Sequence, residues 1–205
     1  MMNLPQKILS ALAILAVTSS VSTLAHATVI DFESLALNNN AVNNTGSPYS
    51  EDGFSIAATT LSFFGTLENR FTGSTALLNR IGKGVTILTN DMANPFSVQS
   101  IDLSELNGNR VADVNFTGQV SGAGTVMQTF TLDGVFGNET FLFNASFANL
   151  TSLSWVQISP FHQFDNIVLN EGGGVSPVPL PAALPLMAAG LGLMGFVGRR
   201  KKQVA

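Results

Sequence analysis

The chain has 205 residues, with nine lysines and arginines against 13 acidic residues, and its formal net charge is −4 at neutral pH. It contains no cysteine, which excludes disulfides, thiol nucleophiles and thiolate metal sites. A net acidic chain is also poorly suited to nucleic acid, whose phosphates require basic partners.

The N-terminus has the features of a secretory signal peptide. Lys7 precedes an apolar run over residues 8–17, and small and polar residues follow that run. Ala25-His26-Ala27 fits the A-x-A pattern of a cleavage site. The sequence therefore predicts a signal peptide over residues 1–27, with Thr28 as the mature N-terminus.

The segment that follows, residues 28–170, is the predicted domain, and it is much more acidic than the whole chain. All 13 acidic residues lie between Thr28 and Glu171 with only four basic residues, so the formal charge from Thr28 to Glu171 is −9. The basic residues are Arg70, Arg80, Lys83 and Arg110. This charge leaves neutral or cationic partners, divalent cations and polysaccharide as candidate ligands, and disfavours nucleic acid and anionic lipid.

The residue pattern of the domain predicts short β-strands. Apolar and polar residues alternate with a period of two in runs rich in Thr, Val, Phe and Ile, clearest over residues 28–35, 110–120, 125–132 and 139–147. Clusters of Gly, Asn and Asp separate the runs, as in Asn107-Gly108-Asn109 and Asp133-Gly134. About eight or nine such strands predict an all-β fold, an antiparallel β-sandwich of the jelly-roll type.

Aromatic residues give little support to a sugar-binding platform. The chain has 15 phenylalanines but one tryptophan and one tyrosine, and sugar sites usually present Trp or Tyr rings. Trp155 alternates with polar Ser154 and is predicted to lie in the core. Tyr49 lies in a predicted loop and is the better candidate for an exposed ring.

Few residues have the chemistry of catalysis. After loss of the signal peptide His162 is the only histidine, which excludes a zinc site built on several imidazoles, and we interpret it as a solvated loop residue. No Gly-x-Ser-x-Gly elbow occurs. Glycoside hydrolysis would need paired carboxylates, and acidic residues near turns are also common as solvated charges. The available pairs are Glu51/Asp52, Asp102/Glu105 and Asp133/Glu139. We assign no catalytic residue.

Acidic residues stand at both ends of the domain. Asp31-Phe32-Glu33 falls in the first predicted strand, where Asp31 and Glu33 would share a face, and Asp165 falls in the last strand. The terminal strands of a jelly roll commonly lie side by side. These two segments resemble the ends of exported jelly-roll modules, several carbohydrate-binding families among them, in which a structural calcium joins the termini. The resemblance implies a structural Ca²⁺ held by Asp31, Glu33 and Asp165.

The C-terminal tail has three parts after a flexible Gly-rich linker at residues 171–177. Val178-Pro179-Leu180-Pro181 holds the chain extended, because proline cannot continue a helix. An apolar stretch follows which, counted from Leu180, would span about 27 Å as a transmembrane helix. Arg199-Arg200-Lys201-Lys202 would anchor its end on the cytoplasmic side.

This tail, residues 178–202, resembles the PEP-CTERM sorting signal of bacterial surface proteins in its Val-Pro-Leu-Pro variant. The resemblance implies export, transient retention in the inner membrane by the helix, and removal of the tail by an exosortase-type transpeptidase. The released protein would reside at the cell surface or be secreted.

Together these features predict an exported, surface-sorted and non-enzymatic β-sandwich protein associated with the cell surface or the extracellular polysaccharide matrix. A carbohydrate-binding module is one alternative, and a weak glycoside-acting enzyme is the other. The sequence does not identify ligand-binding residues in the domain.

Overall fold

The structure, a computed structural model, describes residues 27–106 and 110–171. Apart from Ala27 and Glu171, the predicted signal peptide, linker and sorting signal lie outside the described residues. The described chain forms 13 strands and two short 3-10 helices, Glu33–Leu35 and Ala145–Phe147. The strands are β1 (Ala27–Ile30), β2 (Val42–Asn44), β3 (Tyr49–Glu51), β4 (Phe54–Ala58), β5 (Leu61–Phe64), β6 (Leu77–Asn79), β7 (Val85–Asn90), β8 (Phe96–Glu105), β9 (Ala112–Val120), β10 (Thr125–Leu132), β11 (Glu139–Leu142), β12 (Leu150–Val156) and β13 (His162–Glu171).

All strand pairs are antiparallel and divide into two layers. The first layer has the order β2-β5-β6-β13-β8-β11, with β1 also pairing with β13. The second layer has the order β10-β9-β12-β7-β4-β3. A single pair, Leu150 with Phe96, joins β12 of the second layer to β8 of the first. The expected antiparallel β-sandwich is confirmed.

The chain passes between the layers at most connections in its second half. β6, β8, β11 and β13 lie in the first layer, whereas β7, β9, β10 and β12 lie in the second. This alternation is typical of a jelly roll. Its local origin is the period-two pattern, seen in β9 as strict alternation between buried and exposed residues from Ala112 to Phe116.

Aromatic rings from both layers fill the space between them. Trp155 of β12 is 1% exposed, and its ring centroid lies 4.9 Å from that of Phe164 in β13 and 5.4 Å from that of Phe116 in β9. The prediction that Trp155 belongs to the core is confirmed. Edge-to-face contacts such as that between Trp155 and Phe164 are favoured by the ring quadrupoles.

Three details of the strand prediction are wrong. The chain forms 13 strands in the described residues rather than eight or nine, because strands of three or four residues, such as β2 and β6, are too short to give a periodic signal. The strand expected over residues 139–147 ends at Leu142, and Asn144 caps the 3-10 helix that follows by accepting a hydrogen bond from the backbone N–H of Ser146.

The third error concerns the first strand, expected over residues 28–35. It ends at Ile30, because Phe32 adopts a left-handed conformation (φ 56°) and residues 33–35 form a 3-10 helix. The turn buries the Phe32 ring completely, 5.9 Å from the ring of Phe164. Asp31 and Glu33 therefore do not share a strand face.

Among residues 27–106 and 110–171 no helix has the length and apolar character needed to span a membrane. The predicted transmembrane helix belongs to the tail and lies outside this part of the chain.

Candidate functional site

A pocket of about 340 Å³ opens where the start of β8, the end of β13 and the segment after β11 meet. Ser97 of β8 and Asn170 of β13 are cross-strand partners, and both side chains in this pocket are almost fully buried. The hydroxyl of Ser97 has no hydrogen-bond partner among the described residues. Phe143 and Phe147, with ring centroids 4.7 Å apart, provide apolar walls.

A pocket with apolar walls and a few convergent polar groups has the usual chemistry of a small-ligand site. The unpaired Ser97 hydroxyl and the Asn170 amide can hydrogen-bond a ligand hydroxyl, and the phenylalanine rings can contact apolar C–H groups. Gln99 and Asn144 also line the opening and are exposed. The lining residues come from segments far apart in the chain, so local residue patterns could not predict this pocket.

The exposed face of the second layer mixes polar and aliphatic side chains and lacks the chain's Trp and Tyr. Thr129 and Thr131 of β10 donate hydrogen bonds of 2.6 Å to Asn115 and Asp113 of β9. Tyr49, the candidate for an exposed ring, is half-buried, and its ring packs 5.7 Å from that of Phe32. This face therefore offers hydroxyl and amide groups without an aromatic platform.

Three carboxylates meet at the opposite end of β8. Glu105 ends β8, Asp133 directly follows β10 and Glu139 begins β11. One carboxylate oxygen from each lies within 4.8 Å of the others, and no other group of three such ligands occurs among the residues that the structure describes. The side chain of Glu105 is buried, that of Glu139 is half-buried and that of Asp133 is exposed. These three residues, the acidic cluster, can hold a metal ion.

Backbone N–H groups of the β10–β11 connection orient the acidic cluster. The N–H of Asp133 donates to Oε1 of Glu139 (3.2 Å), that of Gly134 to Oε1 of Glu105 (2.6 Å), and that of Val135 to Oδ1 of Asp133 (2.7 Å). Burial raises the pKa of Glu139, the charges of Asp133 and Glu105 raise it further, and the Asp133 N–H opposes them. Sequence reasoning had paired Asp133 with Glu139 and missed their approach to Glu105.

The structure distributes the predicted calcium ligands Asp31, Glu33 and Asp165 over several local contacts. β1 does pair with β13, from Ala27 with Asn170 to Ile30 with Ile167, as expected for terminal strands. Oδ1 of Asp31 accepts the N–H of Glu33 at 3.1 Å. Their role as calcium ligands stays a prediction.

Glu33 and Asp165 instead hold adjacent residues of one loop. Oε1 of Glu33 accepts the N–H of Thr75 at 2.7 Å, and Asp165 accepts a short hydrogen bond from the hydroxyl of Ser74. Burial raises the pKa of Asp165 to about 7, and the nearby charges of Asp102 and Glu33 act in the same direction against the hydrogen bond from Ser74.

The interpretation of His162 as a solvated loop residue is wrong. His162 begins β13, shares the inner face of that strand with Phe164, and is 0% exposed. Its Nδ1 lies 3.4 Å from the amide nitrogen of Gln157, while its Nε2 has no partner among the described residues. Burial lowers the pKa of His162 to about 4. The flanking Phe161 and Phe164 were the signal for burial.

The two other carboxylate pairs considered for glycoside hydrolysis make structural contacts. Oε2 of Glu51 accepts hydrogen bonds from the Phe32 N–H and the Tyr49 hydroxyl. Asp102 accepts hydrogen bonds from Thr140 and Asn166 in neighbouring strands of its layer. These contacts give both carboxylates a role in packing.

Comparison with known proteins locates a sorting signal in the tail. No curated protein matches the sequence significantly. Among solved structures, a mutant of CBM29-2, a family 29 carbohydrate-binding module, aligns at 14% identity and a TM-score of 0.43, covering 76% of this chain and 98% of its own. A family 32 module from C. perfringens NanJ, in complex with galactose, aligns at 12% identity and a TM-score of 0.32, covering 64% and 98%.

At these identities, and with both TM-scores below 0.5, the two alignments carry no conclusion about this chain. The family comparison is more specific, because it falls on the tail in which the sequence predicts a sorting signal. The model of the PEP-CTERM protein-sorting motif matches residues 177–201, which include the four residues from Val178 to Pro181 and three of the four basic residues. The chain therefore carries a PEP-CTERM protein-sorting motif.

Proposed function

We propose that this chain is an exported, surface-sorted protein whose β-sandwich acts without catalysis in the polysaccharide layer at the cell surface. The sorting motif over residues 177–201 carries this proposal, because a motif of this kind supports export and sorting to the cell surface. The charge of −9 between Thr28 and Glu171 favours polysaccharide and divalent cations over nucleic acid as partners.

The burial of His162 supports a non-enzymatic role. A general base must reach the proton that it removes, and the imidazole of His162 is sealed in the core. In the acidic cluster, each carboxylate already accepts a hydrogen bond from the backbone of residues 133–135. Such an arrangement fits an ion-binding or structural role better than proton transfer to a substrate.

Carbohydrate binding in the pocket beside Ser97 and Asn170 is the second candidate function. The observation that favours it is the buried, unpaired Ser97 hydroxyl beside two phenylalanine rings. A sugar presents hydroxyl groups for hydrogen bonds together with apolar C–H faces, so it suits both the polar groups and the phenylalanine rings of the pocket.

A glycan array followed by calorimetry with the full-length protein tests this second function. We expect saturable binding that Ser97→Ala weakens roughly tenfold, the usual effect of losing one hydrogen bond to a ligand. The melting temperature should stay unchanged, because the hydroxyl has no partner among the described residues. The matched control Ser50→Ala, at an exposed position of β3, should bind as the wild type does.

The same preparation separates the three functions. Absence of saturable binding to any glycan would exclude the carbohydrate-binding module and leave a structural matrix protein. Release of reducing ends from a bound polysaccharide, abolished by Glu139→Gln, would contradict the non-enzymatic proposal.

A further inference from the structure

We propose that the acidic cluster of Glu105, Asp133 and Glu139 binds a calcium ion that fastens the β10–β11 connection to the end of β8. This site is separate from the predicted set at the domain termini. It also goes beyond the proposed surface function and does not depend on it.

The strongest observation is the state of the Glu105 carboxylate. Glu105 is 1% exposed, and its Oε2 has no hydrogen-bond partner in the described part of the chain. An oxygen of Glu105 lies within 4.8 Å of an oxygen of each of two further carboxylates, Asp133 and Glu139. A buried anion surrounded by like charges is strongly unfavourable unless a cation compensates it.

The protein supplies no such cation from the residues that are described. Their one ion pair within 4 Å joins Arg70 to Glu68. His162 is the cross-strand partner of Glu105, but the two side chains do not bond, since Nε2 of His162 and Oε2 of Glu105 both lack partners. A bound metal ion would supply the missing positive charge.

The geometry of the acidic cluster suits an ion between the three carboxylates. Two oxygens on opposite sides of a Ca²⁺ ion lie about 4.6–5.2 Å apart, because each Ca–O distance is about 2.3–2.6 Å. One carboxylate oxygen from each residue of the acidic cluster lies within 4.8 Å of the other two. The backbone N–H groups of residues 133–135 engage one oxygen of each carboxylate, which fixes their orientation before the ion arrives.

The ligand chemistry selects calcium. Oxygen is the only donor type in the acidic cluster, and hard divalent cations prefer it. Ca²⁺ takes six to eight ligands in a flexible arrangement, and the exposed Asp133 side leaves room for water to complete the shell. Mg²⁺ usually keeps several waters and is bound through one or two carboxylates, so a cluster of three carboxylates suits it less well.

The position of the acidic cluster defines what the ion would do. Asp133 follows β10 of the second layer, whereas Glu105 and Glu139 belong to β8 and β11 of the first layer. An ion bound by all three would therefore tie the two layers together at one end. In a chain without cysteine, such a tie would take the place of a disulfide.

Thermal melting and calorimetry of the full-length protein, with Ca²⁺ alone as the added metal, test the proposal. At Ca²⁺ concentrations about 100-fold above the dissociation constant, we expect the melting temperature to rise by about 5–10 °C over that in chelator. Glu105→Gln should abolish binding. It should also melt higher than the wild type in chelator, because the amide keeps the shape of the side chain and removes the buried charge.

Two further variants keep the test decisive if Glu105→Gln fails to fold. Glu139→Gln and Asp133→Asn are less buried and should weaken Ca²⁺ binding at least tenfold. Asp113→Asn, an exposed acidic residue of β9, controls for net charge and should keep the full shift.

Each remaining outcome would overturn the proposal. If Ca²⁺ neither raises the melting temperature of the wild type nor gives a heat of binding, the protein has no calcium site. A shift that Asp165→Asn or Glu33→Gln removes, and that Glu105→Gln and Glu139→Gln retain, would place the ion at the termini. A shift that survives in every variant would be a non-specific effect of salt.

Discussion

His162 and Asp165 lie three residues apart in β13 on opposite faces of the strand, and both are buried titratable groups. The imidazole faces the core beside Gln157, and burial lowers its pKa to about 4. The carboxyl group of Asp165 lies under the loop that contains Ser74, and burial raises its pKa to about 7. Each group thus favours its neutral form in the folded protein.

These opposite shifts predict opposite effects of pH on stability. Between about pH 4 and 6.5 the unfolded chain binds more protons at His162 than the folded chain, so this group makes stability rise with pH. Between about pH 4 and 7 the folded chain binds more protons at Asp165, so this group makes stability fall with pH. The two slopes, each up to about 1.4 kcal/mol per pH unit, largely cancel in the wild type.

Single variants should therefore reveal the pH dependence of stability that each group contributes. In chelator, His162→Gln should lose stability as pH rises from 4 to 6.5, because Asp165 then acts alone. Asp165→Asn should lose stability as pH falls through the same range. Urea unfolding at several pH values measures the stability of both variants. If stability depends on pH in the same way in the wild type and in both variants, the pKa shifts of His162 and Asp165 are contradicted.

At the scale of elements, the loop of residues 65–76, the covering loop, is held against the first layer. Gln163 of β13 donates a 3.0 Å hydrogen bond to the backbone carbonyl of Arg70. Glu33 and Asp165 bind the backbone of Thr75 and the hydroxyl of Ser74. This contact explains why the polar residues Gln163 and Asp165, which alternate with core residues in β13, are nevertheless buried.

Removal of one contact should loosen the covering loop locally. Because Glu33 accepts the Thr75 N–H, Glu33→Ala should speed amide hydrogen exchange at Thr75 roughly tenfold or more, the expected cost of a hydrogen bond to a charged group. Exchange measured by mass spectrometry on peptides covering residues 66–76 checks this. Asp113→Ala, on the second layer, is the matched control and should leave these peptides unchanged. Equal exchange in all three proteins would show that the contact does not hold the loop.

At the scale of the whole molecule, an acidic β-sandwich is joined to a tail that carries a PEP-CTERM protein-sorting motif. The last described strand, β13, ends at Glu171 and is the central partner of β1 and β8. The described strands thus end where the predicted Gly-rich linker begins. Removal of the tail should leave the folded part intact.

Processing of the tail gives a prediction for the intact protein. Because Val178-Pro179-Leu180-Pro181 is the expected recognition element of the sorting motif, protein recovered from the native cell surface should end near these residues. Intact-mass measurement checks the end of the chain. Replacement of both prolines by alanine should leave full-length protein in the membrane fraction, whereas recovery of wild-type surface protein with residues 186–202 attached would contradict the prediction.

The sequence alone was sufficient for the features that depend on neighbouring residues. Alternation with a period of two identified β9 and β10 and assigned Trp155 to the core, because successive side chains of a strand point to opposite faces. The sorting motif was recognisable for the same reason, since its parts are contiguous in the chain. Very short strands were not predicted, because three residues are too few to show alternation with a period of two.

Only the tertiary structure decided which distant residues meet. Glu105 approaches Asp133 and Glu139 because the β10–β11 connection crosses between the layers and folds over the end of β8. The burial of His162 depends on the opposing layer, and the turn after Ile30 depends on the fit of the Phe32 ring against Phe164. Such contacts arise from packing between segments far apart in sequence, and local residue patterns do not predict that packing.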